Sequence, residues 1–400
     1  RTYALKVDKE KYSVMNGGLV RVSENKDSLV VDSKHGSISK DLWVLGKDEI
    51  DINLSNILSH TPYVETSIEN ISTLKASNLF WLGRYLARAI STTRLLINII
   101  KKITNYYRYE VVISKESQNI LHNALTHMTK TYPGFVDIYN KESLDIFPMD
   151  EITSVIKDTL RSGSLSFTIL MLSNTNVNLK DLLTIESWKL FERMQKEWND
   201  FVYRKGDSTL LVASELEKFL IYLMAYKELV NESIFKEQGL VLFKIGYQIE
   251  DSLLLISKAR SILCLKVNKN TRNTLLEGVL NSMESFNAYR SHYKSSLNLE
   301  NVIDFLLLNK QFPKSLSYVT DKLLSDFKLL PKGEALSMPY KQALIKVQEI
   351  LTSIDVKTIT KIKEQEGVYV ELDEILAKLS DLFLECSNEF SNKYFAHYDE

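Results

Sequence analysis

The chain has 400 residues, with 50 basic against 51 acidic side chains for a formal net charge of −1, and 44% of it is apolar. That balance supplies no global positive field of the kind that draws a protein to nucleic acid or to anionic membrane. No apolar run reaches the roughly 18 residues that span a bilayer, and no signal peptide is visible.

Only 13 glycines and 6 prolines interrupt the chain. Few breakers imply long elements, and long elements in a globular chain are helices. The two cysteines, Cys264 and Cys386, stand far apart among apolar neighbours without metal-type spacing. They read as buried free thiols in a reducing cytoplasm.

Residues 1–46 have their own texture. Short β-favouring runs at Thr2–Val7, Tyr12–Met15, Leu19–Val22, Leu29–Asp32 and Leu42–Leu45 alternate with turn signals such as Asn16-Gly17-Gly18. Five short strands cannot bury a two-sided core unaided and need a partner sheet. The sequence opens inside a strand pattern without an initiator methionine, so it reads as the C-terminal part of a longer protein. Residues 47–74 are polar and irregular, in the manner of a linker.

From residue 75 the period changes. Leu79, Leu82, Leu86, Ala89, Thr93, Leu96 and Ile100 recur at three- and four-residue steps, which predicts one apolar stripe on a long helix. Further helices are predicted over 115–130, 150–173, 178–205, 208–236, 239–266, 271–295, 299–309, 313–328, 338–353 and 370–395. The expected fold is therefore mainly α, an all-helical bundle over 75–400 preceded by a small β-rich stub.

An internal echo refines this. Phe80-Trp81-Leu82-Gly83 and Phe243-Lys244-Ile245-Gly246 share spacing, each followed by an aliphatic residue three positions on. A glycine inside a helix costs about 1 kcal/mol relative to alanine, so two at equivalent places predict a close crossing at the centre of a pseudo-twofold bundle.

The run from Ser77 to Leu96 resembles the opening helix of the bacterial alpha-E family, a helical domain of unknown function. Leu275–Tyr293 and Val302–Tyr318 are similar to later blocks of that family, in the same order. In the stub, Tyr12–Val22 followed by Ser39-Lys40-Asp41-Leu42-Trp43 resembles the C-terminal end of circularly permuted ATP-grasp proteins. The joint resemblance implies a parent protein that uses ATP and magnesium to activate a carboxylate and pass it to an amine, as peptide-type ligases do. It assigns no cofactor to this piece alone. Its implied partners are the remaining ATP-grasp portion and a peptide or protein, with no nucleic acid and no membrane. The family's opening helix usually carries glutamates where this chain has Ala87 and Ile90; the echo keeps one acid at the matching place, Glu250.

Several side chains are candidates for chemistry. Gly17 and Gly18 with Arg21 either shape a loop whose backbone N–H groups approach a phosphate or form a hairpin turn beside a surface arginine. Lys40 and Asp41 either contact phosphate or substrate or belong to a solvated turn before Trp43. Arg290, framed by Tyr289 and Tyr293, either clamps a carboxylate or pairs with an acid such as Asp304 to staple two helices. Arg84 and Arg88 share a helix face, with Glu250 or Asp251 opposing them in an interhelical ion-pair cluster. His122 and His127 are five apart with no third ligand in view, so no metal site is expected. No Ser-His-Asp context, P-loop or paired cysteines occur. Two functions follow: a helical module serving an ATP-dependent carboxylate–amine ligase and inactive alone, or a non-catalytic scaffold for a protein partner.

Overall fold

The computed structural model describes residues 4–6, 12–14, 18–23, 37–42, 71–109, 114–138, 148–234, 239–294, 296–330, 337–361 and 367–395. Two units divide the chain, Arg1–Asn70 and Ile71–Glu400.

In the first unit, β1 (Ala4–Lys6) pairs antiparallel with β2 (Tyr12–Val14), and β3 (Gly18–Ser23) pairs antiparallel with β4 (Ser37–Leu42). The β3–β4 ladder runs from Gly18 opposite Leu42 to Ser23 opposite Ser37. β4 meets the expected Leu42–Leu45 run at Leu42, and residues 43–45 lie outside the described residues. The Leu29–Asp32 run, Gly17 and the 47–70 segment lie outside the described residues.

The second unit is helical. It begins with α1 (Thr73–Tyr109), α2 (Lys115–Thr129), α3 (Gly134–Ile138), α4 (Pro148–Lys157), α5 (Leu165–Val177) and α6 (Ile185–Tyr203). Then come α7 (Thr209–Ser233), α8 (Gly239–Ile262), α9 (Lys269–Ser282), α10 (Phe286–Tyr293) and α11 (Leu299–Ile303). The last helices are α12 (Leu316–Lys328), α13 (Pro339–Ser353), α14 (Val356–Ile359) and α15 (Val370–Phe395).

Three predicted helices are broken where local chemistry restarts the backbone. The 150–173 helix splits at Asp158–Ser164: Gly163 sits at φ +88°, and Ser164 Oγ accepts the Phe167 N–H at 2.9 Å to cap α5. The 178–205 helix begins only after Thr184, whose Oγ1 accepts the Ser187 N–H at 3.3 Å. The 271–295 helix breaks at Met283–Ser285, with Glu284 at φ +52°. The helix expected over 299–309 widens after α11 into a π turn, Asp304–Leu308, in which the Asn309 N–H reaches the Asp304 carbonyl at 2.9 Å.

At the centre, α1 and α8 cross, with α5 and α7 packed on α1, α2 and α15 against both, and α12 on α8. Every member of the predicted α1 stripe, from Leu79 to Ile100, is fully buried. Aromatic rings tie α15 to the centre: Phe390 lies 5.5 Å from Phe80 and 5.2 Å from Phe327, centroid to centroid.

The crossing is a reciprocal glycine contact. A Cβ on Gly83 would stand 2.2 Å from the Phe243 carbonyl oxygen and 2.7 Å from the Tyr247 nitrogen, and a Cβ on Gly246 would stand 2.0 Å from the Phe80 carbonyl oxygen. Each glycine therefore receives the carbonyl three residues before the other, which is the pseudo-twofold relation written in the echo. Gly83→Ala is expected to lower stability by at least about 2 kcal/mol, because overpacking outweighs helix propensity. Urea unfolding checks this, and a gain in stability from the substitution would contradict it.

Candidate functional site

Beside the crossing lies a cleft of about 650 Å³. Arg84 and Arg88 of α1 enter it one turn apart, and Glu250 of α8 meets them from the opposing helix. Arg84 donates from Nε to Glu250 Oε2 at 2.7 Å and from Nη1 to Ser387 Oγ at 3.0 Å. Arg88 donates to Glu250 Oε1 from Nε at 2.8 Å and from Nη2 at 2.7 Å. One carboxylate thus serves two guanidiniums, leaving a net positive charge on the triad.

The rings of the same helix hold these cations in place. The Arg84 guanidinium lies 4.8 Å from the Trp81 ring centre and that of Arg88 lies 5.7 Å from Tyr85. Glu250 is 4% exposed. Burial pushes its carboxyl up, but the charges and hydrogen bonds of the two arginines more than offset this and hold it below the ordinary value.

The remaining walls add polar groups. Arg260 of α8 grips Asp373 of α15 bidentately at 2.9 and 3.0 Å. His127 Nδ1 and Tyr132 Oη are hydrogen-bonded at 2.6 Å. Asn123 Oδ1 is buried without a hydrogen-bond partner among the described residues and lines the same cleft. Gly163 is part of the rim, where a Cβ would meet the Thr129 carbonyl oxygen at 2.0 Å, so the break after α4 shapes the cleft as well as the chain path. Among the lining residues, Arg84, Arg88, Lys130 and Arg260 face Glu250 and Asp373, so the cleft favours an anionic group.

The sequence brought only half of its helical candidates to this place. Tyr289 is buried and stacks on Tyr293 at 5.0 Å, donating from its hydroxyl to the Ser296 carbonyl at 2.6 Å. It is Tyr293, not Arg290, that bonds Asp304. Arg290 is exposed over Phe286. The break at Met283–Ser285 starts a new helix at Phe286, so the arginine faces outward and the tyrosines staple α10 to the π turn. None of the three lines the cleft. Asp251 also turns away from Arg84 and Arg88, since Glu250 alone occupies the facing position. In the first unit, Lys40 and Asp41 are exposed on β4, opposite Val20 and Leu19, and Arg21 stands opposite Ser39.

Other reactive groups are quiet. Burial pushes the Cys264 thiol up to about 12 and raises Cys386 further, so neither is a ready nucleophile. His122, stacked on Phe135 at 4.6 Å, is lowered by burial to about 4 and is neutral at pH 7. Among the described residues no group of three His, Cys, Asp or Glu could hold a metal ion, and no helix is long and apolar enough to cross a membrane. Asn123, Arg260 and Asp373 escaped sequence reasoning because nothing in linear spacing links α2, α8 and α15.

Fold and site together define a helical-bundle domain organised around a shared-carboxylate arginine cluster. The chain belongs to the Alpha-E family, described as a predicted alpha-helical domain with a conserved ER motif, whose profile matches residues 74–395. Uncharacterized proteins of Mycobacterium tuberculosis strain H37Rv and of Mycobacterium bovis are each 24% identical to it over 349 residues, covering 85% of this chain and 39% of the relative. The chain therefore spans about two-fifths of the length of these curated relatives. No solved structure matches.

Glu250→Gln is expected to destabilise the fold by about 3 kcal/mol, because it leaves two guanidiniums against one another without their counter-charge. Arg290→Ala, at an exposed position, is expected to change stability by no more than about 0.5 kcal/mol. Chemical denaturation of both variants tests the contrast, which fails if they cost the same.

Proposed function

We propose that the helical domain is the substrate-holding module of an ATP-dependent carboxylate–amine ligase, and that residues 1–400 alone do not turn over. The observation that carries this reading is the net-cationic Arg84–Arg88–Glu250 cleft. Guanidiniums fixed by a buried carboxylate are oriented in advance for a substrate carboxylate, so little side-chain entropy is lost on binding. The Asn123 acceptor in the same cleft suits an amine or amide N–H of a peptide-like substrate.

A resemblance and a length support a larger parent. The stub resembles the end of a permuted ATP-grasp domain, and the relatives are long enough to hold a catalytic portion beyond the matched region. On this reading ATP and magnesium would be held by that portion. The family's glutamate before Arg88 reads Ala87 here, buried in the core. The acid that answers Arg88 comes instead from α8, as Glu250.

The second reading, a scaffold for a protein partner, is favoured by one observation: Glu250 already takes hydrogen bonds from both arginines. An assay of the parent-length protein separates the two. ADP release is measured with the twenty amino acids and a set of dipeptides, each supplied with and without a second amine. The ligase reading expects release that needs both a carboxylate and an amine. Arg88→Ala is then expected to raise KM for the carboxylate substrate by roughly tenfold or more, the loss of one charged hydrogen-bonding group, with KM for ATP unchanged. ADP release indifferent to both additions sinks the ligase reading, and an Arg88→Ala enzyme with unaltered KM removes the cleft from it.

A further inference from the structure

The sequence offset that carries Phe80 to Phe243 and Gly83 to Gly246 also carries Arg84 to Tyr247 and Arg88 to Asp251. In the other direction it relates Leu254 and Ser257 of α8 to Ser91 and Arg94 of α1. Arg84, Arg88, Leu254 and Ser257 line the Glu250 cleft. Their four counterparts line a second cavity, of about 390 Å³, on the other side of the α1–α8 pair. The twofold crossing therefore builds two cavities from one geometry, and the sequence gives them different charges.

The second cavity is strongly cationic. Arg94, Lys227, Lys244, Lys258, Lys314 and Lys322 line it, with Asp251 the acid among the lining residues. Lys322 is paired with Asp326 at 2.9 Å, and Lys314 donates to the Met283 carbonyl at 2.5 Å. Two cations are not satisfied. Lys258 is 2% exposed and makes neither hydrogen bond nor ion pair among the described residues. Among the described residues, Arg94 has a buried Nε without an acceptor, and its Nη2 reaches the Met224 sulfur at 3.6 Å.

A buried cation without a hydrogen-bond partner is costly, and a fold that needed only packing would fill the Lys258 position with an apolar side chain. The two lysines Lys258 and Lys314 show that cost in their protonation. Burial, with repulsion from Arg94 and Lys314, lowers the Lys258 amine to about 8 despite the attraction of Asp251. Lys314 is lowered as well, first by burial and then by Arg94. An anion placed among them would relieve both effects.

We propose that this second cavity binds a phosphate-bearing ligand, with the Lys258 ammonium and the Arg94 guanidinium taking a phosphoryl group between α1 and α8. The excess of cations over the single acid asks for more than the one charge of a carboxylate, and an arginine fork beside a lysine point charge suits phosphoryl oxygens. The volume admits a small phosphorylated molecule. This site is independent of the Glu250 cleft and of the ligase reading.

Calorimetric titration of residues 1–400 with inorganic pyrophosphate and inorganic phosphate tests it, with citrate at matched ionic strength as the carboxylate control. Saturable binding of either phosphate probe, stronger than citrate, is expected. Lys258→Met and Arg94→Gln should each weaken it by roughly tenfold or more, the loss of one charged hydrogen bond, while Arg88→Gln in the other cleft leaves it unchanged. Thermal melts verify that the variants fold, and Lys244→Gln, at a partly exposed lining position, supplies a weakening variant if Lys258→Met does not. Citrate binding as tightly as pyrophosphate, no saturable heat with any phosphate probe, or affinity indifferent to Lys258, Arg94 and Lys244 overturns the proposal.

Discussion

Where α1 passes α8, backbone meets backbone. The Phe80 carbonyl occupies the space that a side chain on Gly246 would fill, and the Phe243 carbonyl does the same for Gly83. Only glycine permits two helices to approach so closely. This close approach lets arginines on one helix share a carboxylate on the other, since Glu250 meets both Arg84 and Arg88 within hydrogen-bond distance. It also sets the pseudo-twofold axis on either side of which the two cavities open. Moving the helices apart by one methyl radius would lengthen the triad's bonds and redraw both cavities together.

The two cavities show opposite solutions to burying charge. In the first, a carboxylate is held between two guanidiniums, so both arginines share one counter-charge and the cluster fixes the register of the helices. In the second, Asp251 is the acid set against six cations among the described lining residues, and the local potential is left positive. The shared carboxylate orients the first pair of cations in advance, whereas the second cavity leaves its cations to be met by a ligand. A single helix pair carries both, because the residues that differ across the offset, Arg88 against Asp251 and Ser257 against Arg94, are the ones that face the cavities.

Much of this was legible in the sequence. The helical period from residue 75 and the paired Phe-x-x-Gly echo foretold the bundle and its crossing, while the sequence leaves the acid opposing Arg84 and Arg88 open between Glu250 and Asp251, and the structure places Glu250 there. What failed was anything that depended on a local restart of the chain. Gly163 and the Ser164 cap, Thr184, and Glu284 in the left-handed region each broke a stretch whose apolar period continued through the break. The last of these turned Arg290 outward and left Tyr293, not the arginine, to meet Asp304. The second cavity had a signal that went unused: Asp251 and Lys258 lie seven residues apart inside the apolar run of α8, a spacing that places both on one buried-side face.

A double-mutant cycle on the crossing tests the central claim most directly. Gly83→Ala and Gly246→Ala are made singly and together, and their unfolding free energies are compared in urea. If one helix displacement relieves both clashes, the second alanine costs less in the presence of the first than alone, with a coupling of about 1 kcal/mol or more. Strict additivity of the two costs, or a double variant as stable as the natural chain, would show that the helices do not meet at these glycines and would contradict the account.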